Sequence, residues 1–222
     1  MTFSLKHSMF KHPFTCMVSG PTSSGKTALV RNLLTNFKSL IYIDRDIINV
    51  IWAYGQWQNL YEKQIENINC LYIEGLPSEN DISENKTDII VIDDLMTEVS
   101  DNKRFTHLFT KGSHHMNVSV IFISQNLFHK GSQIRTISLN CHYIILMKNP
   151  RDKQQIQCLQ KQAFPGKAKY FLESYTHATS SNYGYLIIDL TQDTPDELRL
   201  SSNLPFSESI NSKLSRVYYV EK

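Results

Sequence analysis

Short apolar runs recur along the chain, separated by segments of mixed polarity. FTCMV (14–18), LIYI (40–43), CLYI (70–73), DIIVI (88–92), VSVIFI (118–123) and YIILM (143–147) are apolar at successive positions. Strands covered by helices on both faces have that pattern, whereas a strand with one wet face alternates. Lys26 to Phe37, Asn102 to Lys111, Pro150 to Gln162 and Lys167 to His177 have helix-compatible composition, the last two separated by the breaker Pro165-Gly166. The alternation predicts an α/β fold with a mostly parallel central sheet flanked by helices. YGYLIIDL (183–190) predicts a further strand at the sheet edge, and the polar stretch Pro77 to Thr87 a surface loop. From Thr191 onward two prolines and scattered polar residues predict a loosely packed extension, 191–222, behind one domain spanning 1–190 with its core at about 12–190.

Composition agrees with a single domain: 222 residues, 41% of them hydrophobic, suffice for one sizeable core. The net charge of +2 comes from 23 basic and 21 acidic residues mixed along the chain, so charge alone gives only mild attraction for polyanions. Cys16, Cys70, Cys141 and Cys158 form no C-x-x-C pair and are expected to be reduced cysteines of an intracellular protein. His107, His114 and His115 lack the second ligand cluster that a structural zinc site requires. With no signal-like start and no apolar run of about 18 residues, a soluble, non-secreted protein without a membrane segment is expected.

The chemistry is concentrated in three places. Gly20-Pro21-Thr22-Ser23-Ser24-Gly25-Lys26-Thr27 matches G-x-x-x-x-G-K-[ST], directly after an apolar strand and before a helical segment. In that context the two glycines let backbone N–H groups curl around phosphate, Lys26 reaches the β- and γ-phosphates of ATP, and the Thr27 hydroxyl ligates Mg²⁺. DIIVIDD then puts Asp93 and Asp94 at the carboxyl end of a buried strand. Asp93 is expected to hold Mg²⁺ and Asp94 to activate water, with Glu98 as the alternative base. VSVIFIS ends in Ser124-Gln125-Asn126, at the sheet edge where open α/β folds bind ligands, and Gln125 is a candidate γ-phosphate sensor. Asn85-Lys86-Thr87-Asp88 spells a guanine-recognition signature but precedes the aspartate strand, the wrong order for a GTPase.

In this order the three motifs resemble the FtsK/HerA superfamily, and most closely its viral genome-packaging ATPases of the Polinton/Maverick, adintovirus and poxvirus-like kinds. HPFTCMVSGPTSSGKT, YGQWQNLY leading to LYIEGLP, LFTKGSHHMNVSVIFISQNLFHKG and RTISLNCHYIILMKNPRDKQQI carry the resemblance across most of 12–190. It implies a RecA-like P-loop NTPase core, a homo-oligomeric ring of five or six subunits, and ATP-driven movement of double-stranded DNA into a viral capsid. It also assigns the nucleotide-handling roles to Lys26, Thr27, Asp93, Asp94 and Gln125. One position departs from the pattern: members often carry a trans-acting arginine in a G-R-H sequence, where this chain has Gly112-Ser113-His114. A serine cannot offset phosphate charge as a guanidinium does, so the arginine finger must come from elsewhere. Arg135 and Arg151 are the favoured candidates, ahead of Arg104 and Lys111. Lys111, His114, His115, Lys130 and Arg135 are expected on loops facing DNA. Two other functions use the same phosphate loop: a nucleotide or small-molecule kinase, and a non-catalytic ATP-dependent assembly switch.

Overall fold

The structure, a computed structural model, describes residues 9–128, 132–205 and 216–221. Its strands are β1 (Phe10–Lys11), β2 (Thr15–Ser19), β3 (Ile41–Tyr42), β4 (Ile48–Tyr54), β5 (Ile68–Glu74), β6 (Ile89–Asp93), β7 (Ser119–Ser124), β8 (Tyr143–Met147), β9 (Tyr185–Asp189), β10 (Leu200–Ser202) and β11 (Val217–Tyr218). A nine-stranded sheet runs in the order β11-β10-β9-β8-β2-β7-β6-β4-β5. Every pairing from β5 to β8 is parallel, and β9 to β11 add antiparallel strands beyond β8. The carboxyl ends of β2, β6 and β7, which carry the three motifs, therefore meet along one edge of the sheet.

Both faces are covered, as the unbroken apolar runs require. Because successive side chains of a strand point to opposite faces, Ile89 and Val91 join one core while Ile90 and Ile92 join the other. The first core is closed by α1 (Lys26–Thr35) and α2 (Phe37–Leu40) through Leu29, Leu33, Leu34 and Phe37. The second is closed by helices α4 (Met96–Asp101), α5 (Lys103–His107) with its π-helical continuation Leu108–Gly112, α7 (Ser132–Asn140), α8 (Lys153–Ala163) and α9 (Ala168–Ala178). Val99, Phe109, Ile137, Ile156 and Phe171 supply that contact. The remaining helices are α3 (Glu79–Glu84) and α6 (Ser113–Met116).

Several expectations are corrected. LIYI contributes only β3, which pairs with β1 in a separate two-stranded sheet. The strand beside the Asp93 strand is β4, INVIWAY, whose Trp52 is fully buried; truncating such a side chain costs about 3–5 kcal/mol. The polar stretch 77–87 contains α3, opened by a capping box in which Ser78 and Asp81 satisfy each other's backbone N–H groups. β9 is not the edge: β10 and β11 lie outside it. Nor is the described part of the tail loosely packed, since Leu198, Leu200 and Leu204 are buried. β10 extends the sheet with Leu200, Ser201 and Ser202 all buried, although only the first is apolar.

Among the described residues no helix is long and apolar enough to cross a membrane. All four cysteines are free; Cys16 and Cys141 are buried, while Cys158 is exposed. No cluster of three or more His, Cys, Asp or Glu side chains fit for a metal occurs among the described residues.

Candidate functional site: the phosphate loop and its cleft

Gly25 adopts φ 90° and ends the loop from β2 as the N-terminal flank of α1. Glycine takes that left-handed conformation without a side-chain penalty. Lys26 folds back across the loop, its Nζ donating to the carbonyls of Gly20 (2.8 Å) and Pro21 (2.9 Å). The ammonium thus spans the concavity that phosphate oxygens enter in a loop of this kind. Burial lowers its pKa, while the carboxylates of Asp93 and Asp94 oppose that shift. The buried hydroxyl of Ser24, also in this loop, has no protein partner.

Across the sheet edge, Thr27 Oγ1 donates to Asp93 Oδ2 at 2.9 Å. A second donor reaches the same oxygen, the Tyr61 hydroxyl, also at 2.9 Å. Burial raises the Asp93 pKa; the hydrogen bonds from Tyr61 and Thr27 pull it down, and nearby Asp94 pushes it up. A hydroxyl beside a carboxylate is a hard-oxygen pair suited to Mg²⁺, which uses one or two protein ligands and completes its shell with water and substrate phosphate. The residues fit the ion.

Asp94 leaves β6 in a left-handed turn, φ 57°, and its exposed carboxylate accepts from Gln125 Nε2 at 3.3 Å. Its carbonyl is crowded against Gly55, where a Cβ would sit 2.4 Å from the oxygen, so only glycine fits at the end of β4. Gln125 Oε1 in turn accepts from Thr22 Oγ1 at 3.5 Å, the outer limit of a hydrogen bond. Ser124 and Asn126 bond to each other, and Gln155 of α8 holds Asn126 and the following backbone. Of the polar triplet, only Gln125 reaches across to the aspartate strand.

These groups line one cleft of about 540 Å³ with Gln56, Trp57, Gln58 and Leu60 from the segment after β4. The segment is fixed by an aromatic cluster of Trp52, Tyr54, Trp57, Tyr61 and Tyr72. Arg31 of α1, itself buried, donates to Tyr72 Oη and the Lys63 carbonyl. A hollow of about 600 Å³ between α9 and 219–221 shares no residue with this cleft.

Other predicted residues fall elsewhere. Glu98 is exposed on α4 and does not line the cleft. Ser113 is only 1% exposed, so the usual arginine position points into the protein. Arg151 is exposed just before α8, outside the cleft. Arg135 lies in α7, and its side chain, like those of Arg104, Lys111 and His114, lies outside the described residues, as does all of Lys130. Lys111 and His115 belong to helical turns rather than loops. Asp88 of the guanine-like sequence is buried, accepting the Asn49 N–H and pairing with Arg45, so its carboxylate serves the fold.

Numbered in chain order from β2, the six parallel strands run 6-1-5-4-2-3, with β7 inserted between the phosphate-loop strand and the aspartate strand. The genome packaging NTPase B204 from Sulfolobus turreted icosahedral virus 2, in complex with ATP-gammaS, superposes with a TM-score of 0.58 over 87% of this chain and 98% of that one. The fold is that of a RecA-like P-loop NTPase. B204 from Sulfolobus turreted icosahedral virus, a DNA-packaging ATPase, gives the same TM-score and coverage, and the AMP complex of the first protein gives 0.56 over 86% of this chain. Identity is 11% in all three. No protein-family model matches the sequence, and no curated protein sequence does.

Proposed function

We propose that this protein is an ATP-hydrolysing motor that moves double-stranded DNA into a viral capsid as a homo-oligomeric ring of five or six subunits in an infected cell. The observation that carries the hydrolytic part is the meeting of Lys26, the Thr27–Asp93 pair and the Asp94–Gln125 pair in one cleft. The packaging part is supported by the likeness to a packaging NTPase over 98% of that protein's length and by the sequence resemblance to viral packaging ATPases.

On this reading ATP enters with its β-phosphate in the loop, and Lys26 exchanges its carbonyl partners for phosphate oxygens. Thr27 and Asp93 would hold Mg²⁺, which would supply positive charge to offset that of the phosphates. Asp94, exposed and hydrogen-bonded to Gln125, orients a water and takes its proton as the γ-phosphoryl group passes to it, leaving ADP and phosphate. Gln125, linked to both Thr22 and Asp94, responds to the presence of the γ-phosphate. DNA contact comes from repetition: a few cations from each subunit add up around a ring although one subunit carries only +2.

Steady-state ATP hydrolysis with and without linear double-stranded DNA tests this, with Lys26→Ala as control. DNA stimulation that vanishes in Lys26→Ala is expected. Phosphate transfer to a small acceptor would replace the motor by a kinase, tight ATP binding without turnover would replace it by an assembly switch, and undiminished turnover in Lys26→Ala would refute the site.

A further inference from the structure

Tyr183 stands at the opposite end of the phosphate loop from the aspartates. It lies in the turn between α9 and β9, is 68% exposed, and has φ 59°. A bulky residue in left-handed backbone carries strain, which persists where the surroundings enforce it and is concentrated at ligand sites. Here the turn is tied down by the Gly184 N–H on the Ser181 carbonyl and the Lys148 N–H on the Gly184 carbonyl, both 3.2 Å. The ring is held against the loop: a Cβ on Gly25 would lie 3.0 Å from Tyr183 Cδ1. A large aromatic face is thus kept in solvent beside the residue that opens α1.

The sheet order supplies the direction. Asp94 and Gln125 follow β6 and β7, on one side of β2, whereas Tyr183 precedes β9, beyond β8 on the other side. A triphosphate whose γ end lies among Lys26, Asp94 and Gln125 sends its nucleoside away from them, past Gly25. We infer that Tyr183 is the platform on which the purine base of the bound nucleotide stacks, an inference that rests on the nucleotide reading of the cleft. Stacking on a ring face tolerates any base, so this contact gives affinity for the nucleoside without selecting adenine over guanine.

Equilibrium titrations with ATP, GTP and inorganic tripolyphosphate, each with Mg²⁺, test it on the wild-type protein, Tyr183→Phe and Tyr183→Asn. Asparagine removes the ring yet tolerates left-handed backbone, so the variant keeps the turn. In Tyr183→Asn, ATP and GTP affinities should both fall about tenfold while tripolyphosphate affinity holds, and Tyr183→Phe should stay within about twofold of wild type. Equal weakening of tripolyphosphate would show that the ring only braces Gly25, and unchanged ATP affinity would show that no base rests on it; either overturns the platform. Failure of the wild-type protein to bind both ATP and tripolyphosphate would instead remove the nucleotide reading, and the platform with it.

Discussion

Tyr61 and Thr27 donate to the same oxygen of Asp93, each at 2.9 Å, although Tyr61 comes from the aromatic segment after β4 and Thr27 from the phosphate loop. The carboxylate expected to hold the metal is therefore oriented from both walls of the cleft. Tyr61 cannot readily lose its proton, because burial and the Asp93 charge push its pKa far above the ordinary tyrosine value. It acts as a fixed donor.

Removing that donor leaves the ring packing in place and frees one side of Asp93. Loss of a partner that orients a metal ligand typically costs 10–100-fold in metal affinity or activity. In Tyr61→Phe the Mg²⁺ concentration for half-maximal ATP turnover should rise about tenfold, with melting temperature changed far less than by Tyr61→Ala. A lower Mg²⁺ requirement would mean that Tyr61 competes with the ion.

Asp94 lines the cleft and bonds to Gln125, whereas Glu98 is exposed on α4 outside it. Asp94→Asn should bind ATP with near-normal affinity and lose at least about 100-fold in turnover, the lower range for a general base. Glu98→Gln should hydrolyse ATP at close to the wild-type rate. The reverse pattern in a single-turnover assay would transfer the role of base to Glu98.

What was legible in the sequence is what is contiguous in it. Gly20 to Thr27, Asp93-Asp94 and Gln125 each lie at the end of an apolar strand, and a parallel sheet brings such ends together whatever the intervening chain does. The strand β4 is obscured in the sequence because Asn49 interrupts its apolar run and Asp44-Arg45-Asp46 precedes it closely. For α3 a signal existed, the Ser78-x-x-Asp81 spacing, within a stretch whose polarity suggested a loop. Arg31 and Tyr183 carry no local signal, and although Tyr61 ends the stretch YGQWQNLY, nothing near it in sequence marks it as a donor to Asp93. Tyr61 is 32 residues from its partner Asp93, and its role exists only once β4 has been placed beside β6.

Asp93 also gives a pH-dependent signature. Burial raises its pKa above the ordinary 3.8, so the folded protein holds that proton more tightly than the unfolded chain does. The stabilisation from this difference is complete below the unfolded value and is lost as pH rises through the folded one, so at neutral pH the ionised carboxylate destabilises the nucleotide-free fold. Asparagine keeps an oxygen for Tyr61 and Thr27 and removes the charge. Asp93→Asn should melt a few degrees higher than wild type at pH 7 and gain less at pH 4. A lower melting temperature at pH 7, or an equal gain at both values, would refute this account.

The last requirement of the hydrolytic reading is a second cation for the charge that builds on the transferring phosphoryl group. Lys26 is the only cation lining the cleft among the described residues, and Arg31 is engaged with Tyr72 and Lys63. Ser113 is buried at the usual arginine position, so substitution there cannot present a guanidinium to a neighbour without disturbing the core. On the ring reading proposed above, the cation comes from a neighbouring subunit, and Arg151, exposed ahead of α8, is the candidate among the described residues. Arginine fingers contribute about 10³–10⁵ in turnover. Arg151→Ala should therefore lower kcat of the assembled oligomer by at least about 10³ while leaving ATP affinity unchanged. Mixing it with Lys26→Ala subunits should restore some turnover, because each variant supplies what the other lacks at a shared interface. Full activity in Arg151→Ala would shift the role to Arg135, and full activity in Arg135→Ala as well would exclude both.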